Sequence, residues 1–118
     1  MEITVSELEK LSPDSYILYD TRSETEKMYG IMEGAVSLSA DKLLSAPPED
    51  KTKKLIVCCA RGKFSVDTAE RLSEMGYDAC SLSGGYAAWL LALMQKEQAD
   101  EVSRRVEQSL QKKFRKKI

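Results

Sequence analysis

In LIVCCARGKFSVDTAERL, residues 55–72, an apolar run ends in two adjacent cysteines and passes through a short cationic loop into a helix-like segment. A thiol placed where a buried strand gives way to a helix faces a concave run of backbone N–H groups. These stabilise an anion by hydrogen bonding and through the helix dipole. Cys59 occupies that turn, Arg61 and Lys63 add positive charge to the same loop, and Gly62 permits its tight curvature. The expectation is a nucleophilic thiolate at Cys59, activated without a histidine base. Cys58 belongs to the strand and is expected to pack inward, as free cysteines commonly do; Cys80, in a short later strand, is expected to be buried too.

The absence of histidine narrows the chemistry further. It excludes a Ser-His-Asp triad, a Cys-His pair, a histidine metal ligand and any side chain that titrates near neutrality without perturbation. Three cysteines with no C-x-x-C spacing support neither a disulfide framework nor a zinc ribbon, and fit free thiols in a reducing compartment. The start, MEITVSELEK, has no basic and apolar leader, and the longest near-apolar run, residues 86–94, is too short to span a bilayer. The chain reads as a cytoplasmic protein without a membrane partner.

The elements that must position Cys59 follow from periodicity. Five strands are expected, at residues 2–5, 16–20, 35–39, 54–58 and about 79–82, separated by helix-like runs. That alternation predicts an α/β fold with a central, mostly parallel five-stranded sheet flanked by helices. Residues 54–58, continuously apolar toward their end, suit a strand buried on both faces at the sheet centre. Ser6 with Glu9 is expected to form a capping box for a helix at 7–11. Ser65 is expected to cap a helix over 66–75 with Val66, Ala69, Leu72 and Met75 on its inner face and Gly76 as its stop. Gly84-Gly85 predicts a tight turn, and a last helix begins near Ala87.

The 118 residues, 42% apolar and 31% charged, suit one core. The net charge of −1 conceals an asymmetry: residues 104–118 carry seven Lys or Arg against Glu107 alone, while residues 1–103 carry 11 basic and 18 acidic residues. A body of −7 is thus joined to an end of +6, in which Val102, Val106, Leu110, Phe114 and Ile118 recur every four residues. The expected division is a catalytic domain over 1–93 and a basic amphipathic helical extension, or linker to a further domain, over 94–118. Such a stripe suits self-pairing, and such a charge suits an anionic partner; the oligomeric state is open.

Taken in order, the motifs resemble those of a single-domain rhodanese, a sulfurtransferase that carries sulfane sulfur as a cysteine persulfide. They are Asp20-Thr21-Arg22 after the second strand, Gly30-x-x-x-Gly34-Ala35-Val36 into the third, CARGKFS after the fourth, Gly76-Tyr77 after the loop's helix, and Gly84-Gly85-Tyr86-x-x-Trp89. The resemblance covers about residues 3–91. It implies a rhodanese-like fold with a C-terminal helical extension, Cys59 as sulfur carrier, and Ala60, Arg61, Gly62, Lys63, Phe64 and Ser65 as the substrate-binding loop. It further implies Asp20 and Arg22 as supporting residues, no metal or organic cofactor, and a donor such as thiosulfate or a cysteine desulfurase persulfide. The departure is at YGIMEGA, where Ile31 and Glu33 stand in place of the family's usual histidine and proline.

Two other readings share this fold. A cysteine phosphatase or arsenate reductase uses C-x5-R, whereas the sixth residue after Cys59 is Ser65, so the guanidinium that would clamp an oxyanion bidentately is missing. A non-catalytic partner-docking module needs no working thiol. Separately, VEQSLQKKFRKKI is similar to the helix preceding the ATPase domain of PP-loop enzymes of tRNA two-thiocytidine biosynthesis. That likeness implies a fused or partner PP-loop domain and tRNA as the destination of the sulfur.

Overall fold

The structure is a computed structural model describing residues 1–116, with side chains described through Lys112. In chain order its elements are β1 (Glu2–Ile3), α1 (Val5–Glu9), β2 (Tyr16–Asp20), α2 (Glu24–Lys27), β3 (Val36–Ser37), α3 (Ala40–Ser45), β4 (Lys54–Cys58), α4 (Phe64–Glu74), β5 (Ala79–Leu82) and α5 (Gly85–Lys116), with a 3₁₀ turn at Pro13–Ser15. All five strands are parallel, in the order β1-β5-β4-β2-β3. The fold is the α/β sheet sandwich expected, with β4 in the middle, and β2, β4 and β5 have the expected limits.

The period-two alternation of the strands sorts side chains between two layers. Leu18, Ile56, Cys58, Cys80 and Leu82 face α1, the start of α5 and the buried Met32. Tyr19, Leu55, Val57 and Ala79 face Leu43 of α3 and Ala69 and Leu72 of α4. Because helices cover both faces, the central strands are mostly apolar rather than alternately polar, with Asp20 and Ser81 as their buried polar residues.

Several boundaries differ from expectation for identifiable reasons. β1 is only two residues long because Thr4 leaves the sheet to cap α1: its hydroxyl accepts from the Glu7 amide at 3.1 Å while Glu7 binds the Thr4 amide. The capping box is therefore Thr4 with Glu7, not Ser6 with Glu9. β3 is likewise shorter than residues 35–39, since Ser39 turns away to cap α3 through the Lys42 amide. A second capping box, Ser23 with Glu26, starts α2.

The last helix begins at Gly85, two residues before Ala87, and its first two turns pack on the core through Tyr86, Trp89 and Leu90. Its 32 residues extend about 48 Å at 1.5 Å per residue, which makes the molecule elongated at 67 × 31 × 19 Å. Val102, Val106 and Leu110 are each at least half exposed along it. The stripe positions Phe114 and Ile118 lie outside the residues whose side chains are described. Among the described residues no helix is long and apolar enough to cross a membrane.

Candidate active site

Parallel pairing places Asp20 beside Cys58 at the C-terminal edge of the sheet. The chain leaving β2 is tied there: the Thr21 amide and hydroxyl both donate to the Cys58 carbonyl, at 2.8 and 2.9 Å. Cys59 then turns out of β4 into the loop 60–63 and the start of α4. This is the crevice outside the strand ends where ligands bind in open parallel sheets.

The Cys59 sulfur sits inside a ring of donors. The amide of Gly62 donates to Sγ at 3.1 Å and that of Ser65 at 3.4 Å, and the Ser65 hydroxyl lies 3.3 Å away. Burial pushes the thiol pKa up. The Ser65 hydroxyl together with the amides of Ser65, Gly62 and Arg61 outweighs it, so the thiol is held below its ordinary range. Cys58 is the reverse case: wholly buried, with Asp20 and Cys59 nearby, its thiol is pushed up to about 12. Burial raises Cys80 as well. One of three thiols is thus prepared for chemistry, by hydrogen bonds rather than by a general base.

Two expectations about the loop need correction. Ser65 does not cap α4. The helix starts at Phe64, and Lys63 in the N-cap position makes no side-chain cap. Ser65 lies within the first turn and is buried against the sulfur. That shifts the inner face of α4 to Ser65, Thr68, Ala69 and Leu72, leaving Val66 half-buried and Met75 exposed. Arg61 and Lys63 are exposed, and it is the backbone amide of Arg61 that bears on the Cys59 thiol. Phe64, 84% exposed, stands at the rim of a cavity of about 350 Å³ that Cys59, Ala60, Arg22 and Ser39 also line.

Asp20 and Arg22 form a buried clamp. Arg22 donates to both Asp20 carboxylate oxygens, from Nη2 at 2.8 Å and Nε at 3.0 Å, and to the carbonyls of Gly30 and Glu26 at 2.7 and 3.3 Å. Its guanidinium also lies 3.6 Å from the Tyr86 ring centroid. Burial opposes the Arg22 charge, but bonding to Asp20 outweighs this and raises its pKa. The clamp joins β2, the segment after α2 and the start of α5 around the Cys59 loop. Ile31, in the family's usual histidine position, is exposed, and the core beneath is filled by Met32 instead.

Gly84-Gly85 does more than turn the chain. Gly85 has φ +57°, and a Cβ there would enter the backbone of Cys59 and Gly62. This close approach lets the Tyr86 amide donate to the Cys59 carbonyl at 2.8 Å and the Ala87 amide to that of Ala60 at 3.1 Å. The first turn of α5 therefore braces the Cys59 loop. A second residue missed in the sequence is Ser81 of β5, whose hydroxyl lies 2.6 Å from that of Ser65. The sequence puts it in the fifth strand but gives no means of knowing which element would cover its face.

The donor ring has a direct consequence for pH dependence. A lowered thiol pKa means that the thiolate form persists below the ordinary thiol midpoint of 9.0. Alkylation of Cys59 by iodoacetamide should reach half its limiting rate below that pH, while Cys58 stays unreactive over the same range. Site-resolved mass spectrometry across a pH series checks both, and a Cys59 midpoint at or above 9.0 would contradict the ring's role.

A parallel α/β sheet carrying a thiol in an amide-lined loop at the end of its central strand defines a class of domains built to stabilise a thiolate there. Within it, residues 4–92 match the model of the rhodanese-like domain, and the chain belongs to that family. Its fold is similar to that of a rhodanese-like domain protein from Staphylococcus aureus, with 27% identity and a TM-score of 0.65 over 75% of this chain and 89% of that one. The human single-domain sulfurtransferase TSTD1 superposes with a TM-score of 0.66 at 24% identity, over 75% of this chain and 94% of that one. A Rhodopseudomonas palustris protein described as a possible tyrosine phosphatase does so at 0.65 and 24%, over 77% and 80%. A comparison with curated proteins gave no match. The family match ends at residue 92 and does not bear on the PP-loop likeness read in residues 106–118.

Proposed function

We propose that this domain is a sulfurtransferase that carries sulfane sulfur as a persulfide on Cys59. The observation that carries the reading is the ring of the Gly62 and Ser65 amides and the Ser65 hydroxyl around a buried sulfur. Such a ring stabilises a thiolate and the anionic terminal sulfur of a persulfide by fixed dipoles. The Cys59 thiolate attacks the outer sulfur of thiosulfate, a new S–S bond forms, and sulfite departs with the electrons of the broken S–S bond. With a cysteine desulfurase persulfide as donor, the leaving group is that enzyme's thiolate. An acceptor thiolate then attacks the outer sulfur, and Cys59 leaves as thiolate again.

The phosphatase reading is weaker on geometry as well as on sequence. The residue six positions after the nucleophile is Ser65, and its side chain is spent on Cys59 and Ser81. Arg22, the nearest buried guanidinium, is bound to Asp20 and two carbonyls. Among the described residues no buried guanidinium fork is left at the sulfur to hold a phosphoryl group.

Intact-protein mass spectrometry after incubation with thiosulfate, or with cysteine and a cysteine desulfurase, tests the proposal. The expected result is one added sulfur atom, removed by reductant and absent in Cys59→Ser. A label that survives in Cys59→Ser would move the carrier to Cys58 or Cys80. No label from either donor would leave a partner-docking module, and turnover of an aryl phosphate would favour the phosphatase.

A further inference from the structure

The donor ring around Cys59 contains one group whose direction is not set by the backbone, the Ser65 hydroxyl. An amide N–H can only donate, but a hydroxyl can turn either its hydrogen or a lone pair toward sulfur. What settles the choice lies one step further from the loop. Ser81 comes from β5, on the sheet face covered by α4, and is wholly buried. Its Oγ is 2.6 Å from Ser65 Oγ, and among the described residues it has no other side-chain hydrogen-bond partner.

We propose that Ser81 is a positioning residue for the nucleophile, holding the Ser65 hydroxyl as a donor to the Cys59 sulfur through a buried relay of two hydroxyls. The assignment follows from counting hydrogens. Two oxygens 2.6 Å apart share one hydrogen between them, since two would collide and none would set lone pairs against each other. Ser81, buried with Ser65 as its one partner, would leave its own hydrogen without an acceptor if it only accepted, so it donates to Ser65. Ser65 then directs its own hydrogen to its second neighbour, Cys59 Sγ at 3.3 Å. Both donors point toward the sulfur, and each bond polarises the next. The arrangement fits an anion at the end of the row better than a neutral thiol. A thiol hydrogen donated to Ser65 would reverse the row and leave the Ser81 hydrogen without an acceptor.

The proposal deepens the reading of Cys59 as sulfur carrier, but its test does not require sulfur transfer. The Cys59 pKa is read from the pH dependence of iodoacetamide alkylation, resolved by site, in wild type and in Ser65→Ala, Ser81→Ala and the double variant. Around the loop stand Arg61 and Lys63, with Asp20, Arg22 and Glu26 from the β2 side and Cys58 and Tyr86 beneath; all are common to these proteins, so differences report the hydroxyls. Ser81→Ala is expected to raise the midpoint by about half a unit to one unit, and Ser65→Ala by at least as much. In the Ser65→Ala background, Ser81→Ala should add nothing, because its path to the sulfur is gone.

Ser81→Thr and Ser81→Val, nearly equal in shape, supply the control for packing. Threonine should keep the midpoint close to wild type and valine should raise it as alanine does. An unchanged midpoint in Ser81→Ala, an equal shift with and without Ser65, or equal shifts in the Thr and Val variants would overturn the relay. If the shifts occur as expected while wild type accepts no sulfur from either donor, the relay stands and the sulfurtransferase reading fails.

Discussion

Arg22→Leu is expected to destabilise the fold by about 3–5 kcal/mol, because it strands a buried carboxylate. Asp20 is 4% exposed, and its carboxylate takes its hydrogen bonds from Arg22: two from the guanidinium and one from the backbone amide. The leucine variant removes both guanidinium bonds and leaves the Gly30 carbonyl without its donor, while the Glu26 carbonyl keeps the Tyr29 amide. Against a typical domain stability of about 5–15 kcal/mol this is a large fraction, and urea unfolding midpoints would show it. Removing both charges, in Asp20→Asn with Arg22→Leu, should cost less than Arg22→Leu alone, since no buried charge is then left unpaired. An Arg22→Leu variant within about 1 kcal/mol of wild type would mean that the clamp does not hold the sheet edge.

Gly85→Ala should damage stability and chemistry together. The residue has φ +57°, a region that costs an L-residue about 1–2 kcal/mol. The added Cβ also falls 2.7 Å from the Gly62 nitrogen and 2.9 Å from the Ala60 carbonyl carbon. These are backbone atoms that cannot rotate aside, so the loop or the first turn of α5 must move. Together the two effects should cost about 2–4 kcal/mol. The same Gly62 nitrogen donates to the Cys59 sulfur, so its displacement should also raise the Cys59 pKa and slow alkylation at neutral pH about tenfold. Gly34→Ala is the contrast. Its φ is +83°, but a Cβ there meets nothing within 4 Å, so it should lose some stability and leave Cys59 unchanged. Equal effects of the two substitutions on Cys59 would show that α5 does not brace the loop.

Both substitutions concern residues whose sequence motifs were visible and whose physical work was not. Asp20-Thr21-Arg22 read as site support, yet Arg22 is consumed by Asp20, two carbonyls and the Tyr86 ring, so its contribution is to shape. Gly84-Gly85 read as a turn, and the turn is there, but Gly85 is also demanded by the backbone of Cys59, 26 residues earlier. Arg61 and Lys63 read as the charges that activate Cys59. Their side chains point to solvent, where screening is strong, while the amides of the same loop point at sulfur.

The elements that local patterning specifies were legible without coordinates. A continuous apolar run at β4, a strand-to-helix turn at Cys59 and the alternation of strands with helices were enough to place Cys59 at the end of a buried strand. The missing histidine belongs with these, since it already required that Cys59 be activated by something other than imidazole. Short-range choices between equivalent signals were less legible. Thr4 and Ser6 both offer a hydroxyl three residues before a glutamate, and only the point at which β1 stops pairing with β5 decides between them.

What the sequence by itself determined is which thiol lies at the strand end and which kind of loop surrounds it, because both depend on residue types within one stretch of chain. The tertiary structure alone decided what tunes that thiol. Ser65 turns inward only because β5 lies beneath α4, and Ser81 meets it across 16 residues. Tyr86 reaches the Cys59 carbonyl only because Gly85 lets α5 come that close. Hydrogen bonds and close backbone contacts depend on distances of a few tenths of an ångström between segments far apart in the chain, and no local periodicity encodes them.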